Sequence, residues 1–163
     1  MLNGFNERDS FMFRTCRAAW LTLRPRADEM RRERENMMPL AYWCVLVAAL
    51  LPLVWAGYAK AGGTVDNHCP RESTGHLPSR HRRAYAAHYN AYENFPFFAA
   101  AVIVAVTQGA ALSSINALAA IYVLLRVVHG ILYVTDHSTA RSVVYGLALF
   151  ANIAIFVLPA FSS

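Results

Sequence analysis

Four long apolar stretches separated by polar breaks set the pattern of this chain. Pro39 to Ala59 carries no charge, a second run is uncharged from Asn94 to Thr107, a third spans Ile115 to Val134, and a fourth runs from Arg141 to Phe161. Crossing a bilayer core of about 30 Å takes roughly 20 helical residues. Each stretch therefore predicts a membrane-spanning helix, and the chain as a whole an all-α, integral membrane four-helix bundle. Trp43 and Trp55 stand near the two ends of the first stretch, where interfacial anchors belong, and Lys60 follows at the boundary.

The second helix, expected from about His81, differs from the others because Asn90 and Glu93 lead straight into its apolar part. An acidic residue at mid-helix costs roughly 3 kcal/mol on insertion scales, so such residues face a protein interior and mark function. Arg83, Asn90, Glu93 and Phe97 recur at i, i+7, i+10 and i+14, which is one helix face. Pro96 leaves the carbonyl of Tyr92 without its usual donor one turn from this cluster. On the third helix Arg126, His129 and Tyr133 share a face, and Arg141, Ser142 and Tyr145 open the fourth.

The connections give an orientation. The loop from Ala61 to Arg82 and its flanks hold Lys60, Arg71, Arg80, Arg82 and Arg83 against Asp66 and Glu72, which predicts the cytoplasmic side. The link Gln108 to Ser114 is short and uncharged, and suits the other side. Four alternating spans then place Lys60, the start of helix two, the end of helix three and the start of helix four in one leaflet. Asn90, Glu93, Arg126, His129, Tyr133, Arg141 and Tyr145, far apart in sequence, converge at one depth.

Composition agrees: 56% hydrophobic and 15% charged residues in a chain of 163 is too apolar for an ordinary soluble domain. The net charge of +5 does not imply nucleic acid, because eight arginines fall within residues 1–36, mixed with six acids. The chain divides into an N-terminal extension, 1–38, and a membrane domain, 39–163. An arginine-laden tail would resist the outer side that the topology assigns it, so translation is expected to begin at Met37 or Met38. Cys16, Cys44 and Cys69 form no disulfide framework, and His68, Cys69, His76 and His81 match no metal-ligand spacing, so no metal is expected.

Lys60, Arg83, Arg126 and Arg141 face a single intramembrane carboxylate, an excess of positive charge suited to an anionic ligand. Arg141 and Ser142 fall in the first turn of a helix, where free backbone donors add to the attraction. A thiol there would ionise more readily. The same residues admit two other roles: Glu93 with Arg126 or Arg141 as an interhelical ion pair, or Glu93 and His129 as a proton relay. Tyr133 and Tyr145 also fit as interfacial anchors.

Arg83, then Asn90, Glu93 and Pro96-Phe97, then His129 and Tyr133, then Arg141-Ser142-Val143 with Tyr145, form a pattern that resembles the MAPEG family, the membrane-associated proteins of eicosanoid and glutathione metabolism, over about residues 40 to 161. Asp66-Asn67, Pro70-Arg71 and the short connections look more like its prokaryotic branch. The resemblance implies a homotrimer in the cell membrane, with glutathione bound between subunits near the cytoplasmic face and a lipophilic small molecule arriving from the bilayer. It implies catalytic roles for Arg141 and Ser142, and glutathione contacts from Lys60, Arg83, Asn90, Glu93, Arg126, His129, Tyr133 and Tyr145. The implied activity is a glutathione-dependent transferase or peroxidase; the alternative on the same fold is a non-catalytic lipid-binding or scaffold protein. Glutathione-using members carry a basic residue where this chain has Ala86, a contact that Arg82 or Arg83 would have to supply.

Overall fold

A computed structural model describes residues 38–63, 68 and 73–161. The expected extension up to Met37, with Cys16, and residues 64–67 and 69–72 of the first loop, with Cys69, lie outside the described residues, whereas Met38, the other expected start, lies within them. Four α-helices follow in order: α1 (Leu40–Lys60), α2 (Ser79–Thr107), α3 (Leu112–Val134) and α4 (Ser138–Val157), the last extended by a 3-10 turn, Leu158–Phe161. A second 3-10 turn, Ser73–His76, precedes α2. Helices two, three and four each begin two or three residues before their predicted starts, since polar residues such as Ser79, Ser113 and Ser138 are accommodated in helical first turns.

Three of these helices, α1, α3 and α4 with its extension, are long and apolar enough to cross a membrane. The fourth expected span, α2, is the longest at 29 residues, but its first half carries Arg80, Arg82, Arg83, Asn90, Glu93 and Asn94. It packs against all three others. The polar half of α2 thus brings chemistry into the bundle, and its apolar half supplies the core.

That core is made of small side chains. On α2 the residues Ala84, Ala87, Ala91, Phe98, Ala101 and Ala105 are buried on one face. Phe98, Ala101 and Ala105 share a cluster with Ala41, Cys44 and Ala48 on α1 and Ala119 on α3, and Ala84 packs with Ala59 of α1 and Val134 of α3. Large apolar residues point outward instead: Leu53, Val54, Leu124 and Phe150 are all exposed. This inverts the soluble pattern because lipid offers no hydrophobic drive between helices, and close backbone approach by small residues takes its place.

Polar ties lock the helices at their ends. Asn116 Oδ1 on α3 accepts from the Ala41 backbone N–H at 2.9 Å, satisfying one of the free donors at the start of α1. His88 and His81 on α2 use their Nδ1 atoms on the carbonyls of Pro52 (2.8 Å) and Tyr58 (3.0 Å) of α1. Trp43 is exposed, as an interfacial anchor would be, but Trp55 is half-buried with its ring against Gly130 of α3. A Cβ at Gly130 would overlap that ring. Gly130→Ala is therefore expected to cost about 1–3 kcal/mol, as other overpacked core sites do, read as a lowered melting temperature in detergent.

Candidate functional site

Six side chains from α2, α3 and α4 surround one cavity of about 270 Å³: Asn90, His129, Tyr133, Arg141, Ser142 and Tyr145. All six belong to the set expected from sequence, and helix packing brings them together across more than fifty residues. Arg141 lies over the ring of Tyr133, its guanidinium carbon 4.1 Å from the centroid, a cation–π contact that fixes the charge at the wall. The His129 ring is buried, with its centroid 5.8 Å from Tyr133 and 5.9 Å from Tyr145. It has no hydrogen-bond partner among the described residues.

The first turn of α4 departs from expectation. The helix starts at Ser138 with His137 as its cap, so the Arg141 N–H already bonds to the His137 carbonyl at 3.0 Å. Arg141 contributes its guanidinium, and the free backbone donors lie one turn earlier. The Ser142 hydroxyl donates to the Ser138 carbonyl at 3.1 Å, leaving its oxygen as an acceptor toward the exposed rim.

Arg126 stands behind Asn90, outside the lining. It is 4% exposed, and its Nη2 donates to both the carbonyl (3.0 Å) and the Oδ1 (2.9 Å) of Asn90, while Nη1 is buried with no hydrogen-bond partner among the described residues. Neither Arg126 nor Arg141 pairs with Glu93. Glu93 is exposed on α2, with no ion pair or hydrogen bond among the described residues. Arg83 is engaged at the end of α3, where its Nε donates to the Val134 carbonyl at 3.2 Å and its Nη1 lies 3.3 Å from Asp136. Asp136 takes the left-handed conformation that turns α3 into α4, with φ 68°. Arg83 thus secures that corner, Lys60 is exposed at the end of α1, and both lie outside the cavity lining.

Two residues not singled out from sequence support the site. Asn94 Nδ2 donates to the Asn90 carbonyl at 2.7 Å, and the Tyr122 hydroxyl lies 3.4 Å from the Asn94 carbonyl. Asn94 was legible as a second amide one helical turn after Asn90. Tyr122, at the i−4 position from Arg126, was hidden among apolar neighbours. No group of His, Cys, Asp and Glu among the described residues is placed to hold a metal.

An apolar helical bundle with three membrane-length helices defines an integral membrane protein, with a cationic, aromatic-lined cavity among its helices. A family model, that of the MAPEG family, matches residues 40–161. The chain belongs to that family. No curated protein and no solved structure gives a match.

Proposed function

We propose that this protein is a glutathione-dependent transferase or peroxidase acting on a lipophilic electrophile at the cytoplasmic side of the membrane. The observation that carries the reading is Arg141, held over Tyr133 at the wall of a cavity that also presents Asn90, His129 and Tyr145. A guanidinium beside a thiol stabilises its thiolate form, and the thiolate is the nucleophile that such chemistry needs. Sulfur would sit at Arg141 and the peptide's polar groups at Asn90 and the tyrosines, while the electrophile would enter from the lipid between helices.

The cavity in one chain, about 270 Å³, falls at the lower edge of small-molecule sites, which run about 300–1,000 Å³. A neighbouring subunit would complete it, in agreement with a homotrimer. Glu93 supports the same assembly. An exposed carboxylate within a span is costly, and a subunit contact would give it a partner, with a cation of the neighbour or the ammonium of glutathione as candidates. The basic position occupied by Ala86 is not replaced by Arg83, whose guanidinium is committed to Asp136 and Val134.

Calorimetric titration of glutathione into the detergent-purified protein tests the reading. Saturable binding is expected, with Glu93→Gln weakening both binding and the trimer measured by light scattering in detergent. A folded protein that gives no heat with glutathione, and whose Glu93→Gln variant loses only its assembly, would identify the cluster as interhelical glue.

A further inference from the structure

The amide of Asn90 has only one chemically acceptable orientation. Its side chain meets Arg126 Nη2 at 2.9 Å, and a guanidinium can only donate. The atom facing Arg126 must be the oxygen, so this is not one of the amides whose two ends are interchangeable. Flipping it would press an N–H₂ group against a cation that is 4% exposed and meets no carboxylate among the described residues. Arg126 is itself gripped by the Asn90 carbonyl at 3.0 Å, which keeps the guanidinium from following a flipped amide. The Asn90 Nδ2 therefore turns away from Arg126, has no partner among the described residues, and belongs to a residue that lines the cavity.

The rest of the lining sharpens the consequence. Arg141 is a second pure donor, and Glu93, the carboxylate that could receive an ammonium, lies outside the lining of this chain's cavity. We propose that Arg126 is a positioning residue that locks the Asn90 amide with its N–H₂ toward the cavity, so that this wall selects a carbonyl or carboxylate of the ligand and rejects an ammonium. The inference rests on the reading above, in which the thiol sits at Arg141. It narrows the ligand to a thiol that carries an acceptor group within reach of Asn90, and it assigns Arg126, a residue the ligand does not touch, the control of that preference.

Asn90→Asp separates this from a structural role. Aspartate is nearly isosteric and offers Arg126 a better partner, so the variant should melt at or above the wild-type temperature. Its second oxygen replaces the N–H₂ at the cavity. Glutathione affinity is then expected to fall at least about tenfold, the usual effect of facing an acceptor with an acceptor. Cysteamine, a thiol with an ammonium and no acceptor, should compete better than it does against wild type. Arg126→Gln, whose amide can both donate and accept, should narrow the glutathione-to-cysteamine preference.

The readouts are calorimetric affinities for both thiols and melting temperatures in the same detergent. An Asn90→Asp protein that binds both thiols as wild type does overturns the inference and leaves the transferase reading standing. One that melts well below wild type overturns the Arg126 pairing. Wild-type protein that binds neither thiol overturns the transferase reading and this inference with it.

Discussion

Arg141→Ala is expected to lower glutathione-dependent turnover about 10²- to 10³-fold, the range seen when a preorganised stabiliser of developing negative charge is removed. The expectation rests on position. The Arg141 guanidinium lies over the Tyr133 ring at 4.1 Å, at a cavity wall, and no carboxylate among the described residues neutralises it. Its charge is available to a thiolate. The fold should tolerate the loss, because Arg141 is only half-buried and its backbone N–H is held by His137 whatever the side chain. Steady-state assays with an electrophilic acceptor, beside size-exclusion profiles in detergent, would read both halves. Full turnover in the variant would remove Arg141 from the chemistry and point to His129 or Tyr145. Arg141→Lys should recover only part of the rate, since an ammonium keeps the charge but loses the guanidinium's contact over the Tyr133 ring that sets its place.

The largest effect on stability is expected from Phe98→Ala, about 3–5 kcal/mol by analogy with other buried aromatic truncations. Phe98 is fully buried and stacks on Tyr122 with centroids 4.0 Å apart and planes at 14°. Tyr122 also lines a void of about 10 Å³ with Ala48, Leu51, Ala91, Phe95 and Arg126, room for about one water molecule. Removing the Phe98 ring would leave a cavity beside Tyr122, with alanines as near neighbours that cannot expand to fill it. Because Tyr122 and Asn94 buttress the strand of contacts behind Asn90, glutathione affinity should weaken as well. Phe98→Leu should restore most of the stability. Thermal or denaturant unfolding in detergent is the measurement, and a Phe98→Ala variant that melts with wild type would show that this core is not close-packed.

The converging cluster was legible in the chain for a simple reason. Polar residues in apolar helices are costly, so Asn90, His129 and Arg141 stand out from their neighbours, and alternating spans bring them to one depth. The matched family and the four helices follow from the same pattern, since both depend on spacing that the chain carries locally. The alanine face of α2 was also present in the sequence, at positions 84, 87, 91, 101 and 105, but alanine has no polar signal and takes meaning only when a second helix lies against it.

What local pattern cannot specify is which polar group meets which. Glu93, Asn90 and Arg83 share a predicted face of one helix, yet the fold separates them. Asn90 turns inward to Arg126, Glu93 faces outward, and Arg83 is drawn to the corner at Asp136. Residues three apart on a helix differ by about 60° around its axis, so the edge of the buried face can fall between Asn90 and Glu93. The sequence by itself determined the four helices, the net positive charge and the six polar residues that line the cavity, while Lys60, Arg83, Glu93 and Arg126, expected with them, lie outside its lining. Tertiary structure alone decided that Arg126 serves Asn90 rather than Glu93, because hydrogen-bond pairing depends on ångström-scale approach between helices that no periodicity encodes.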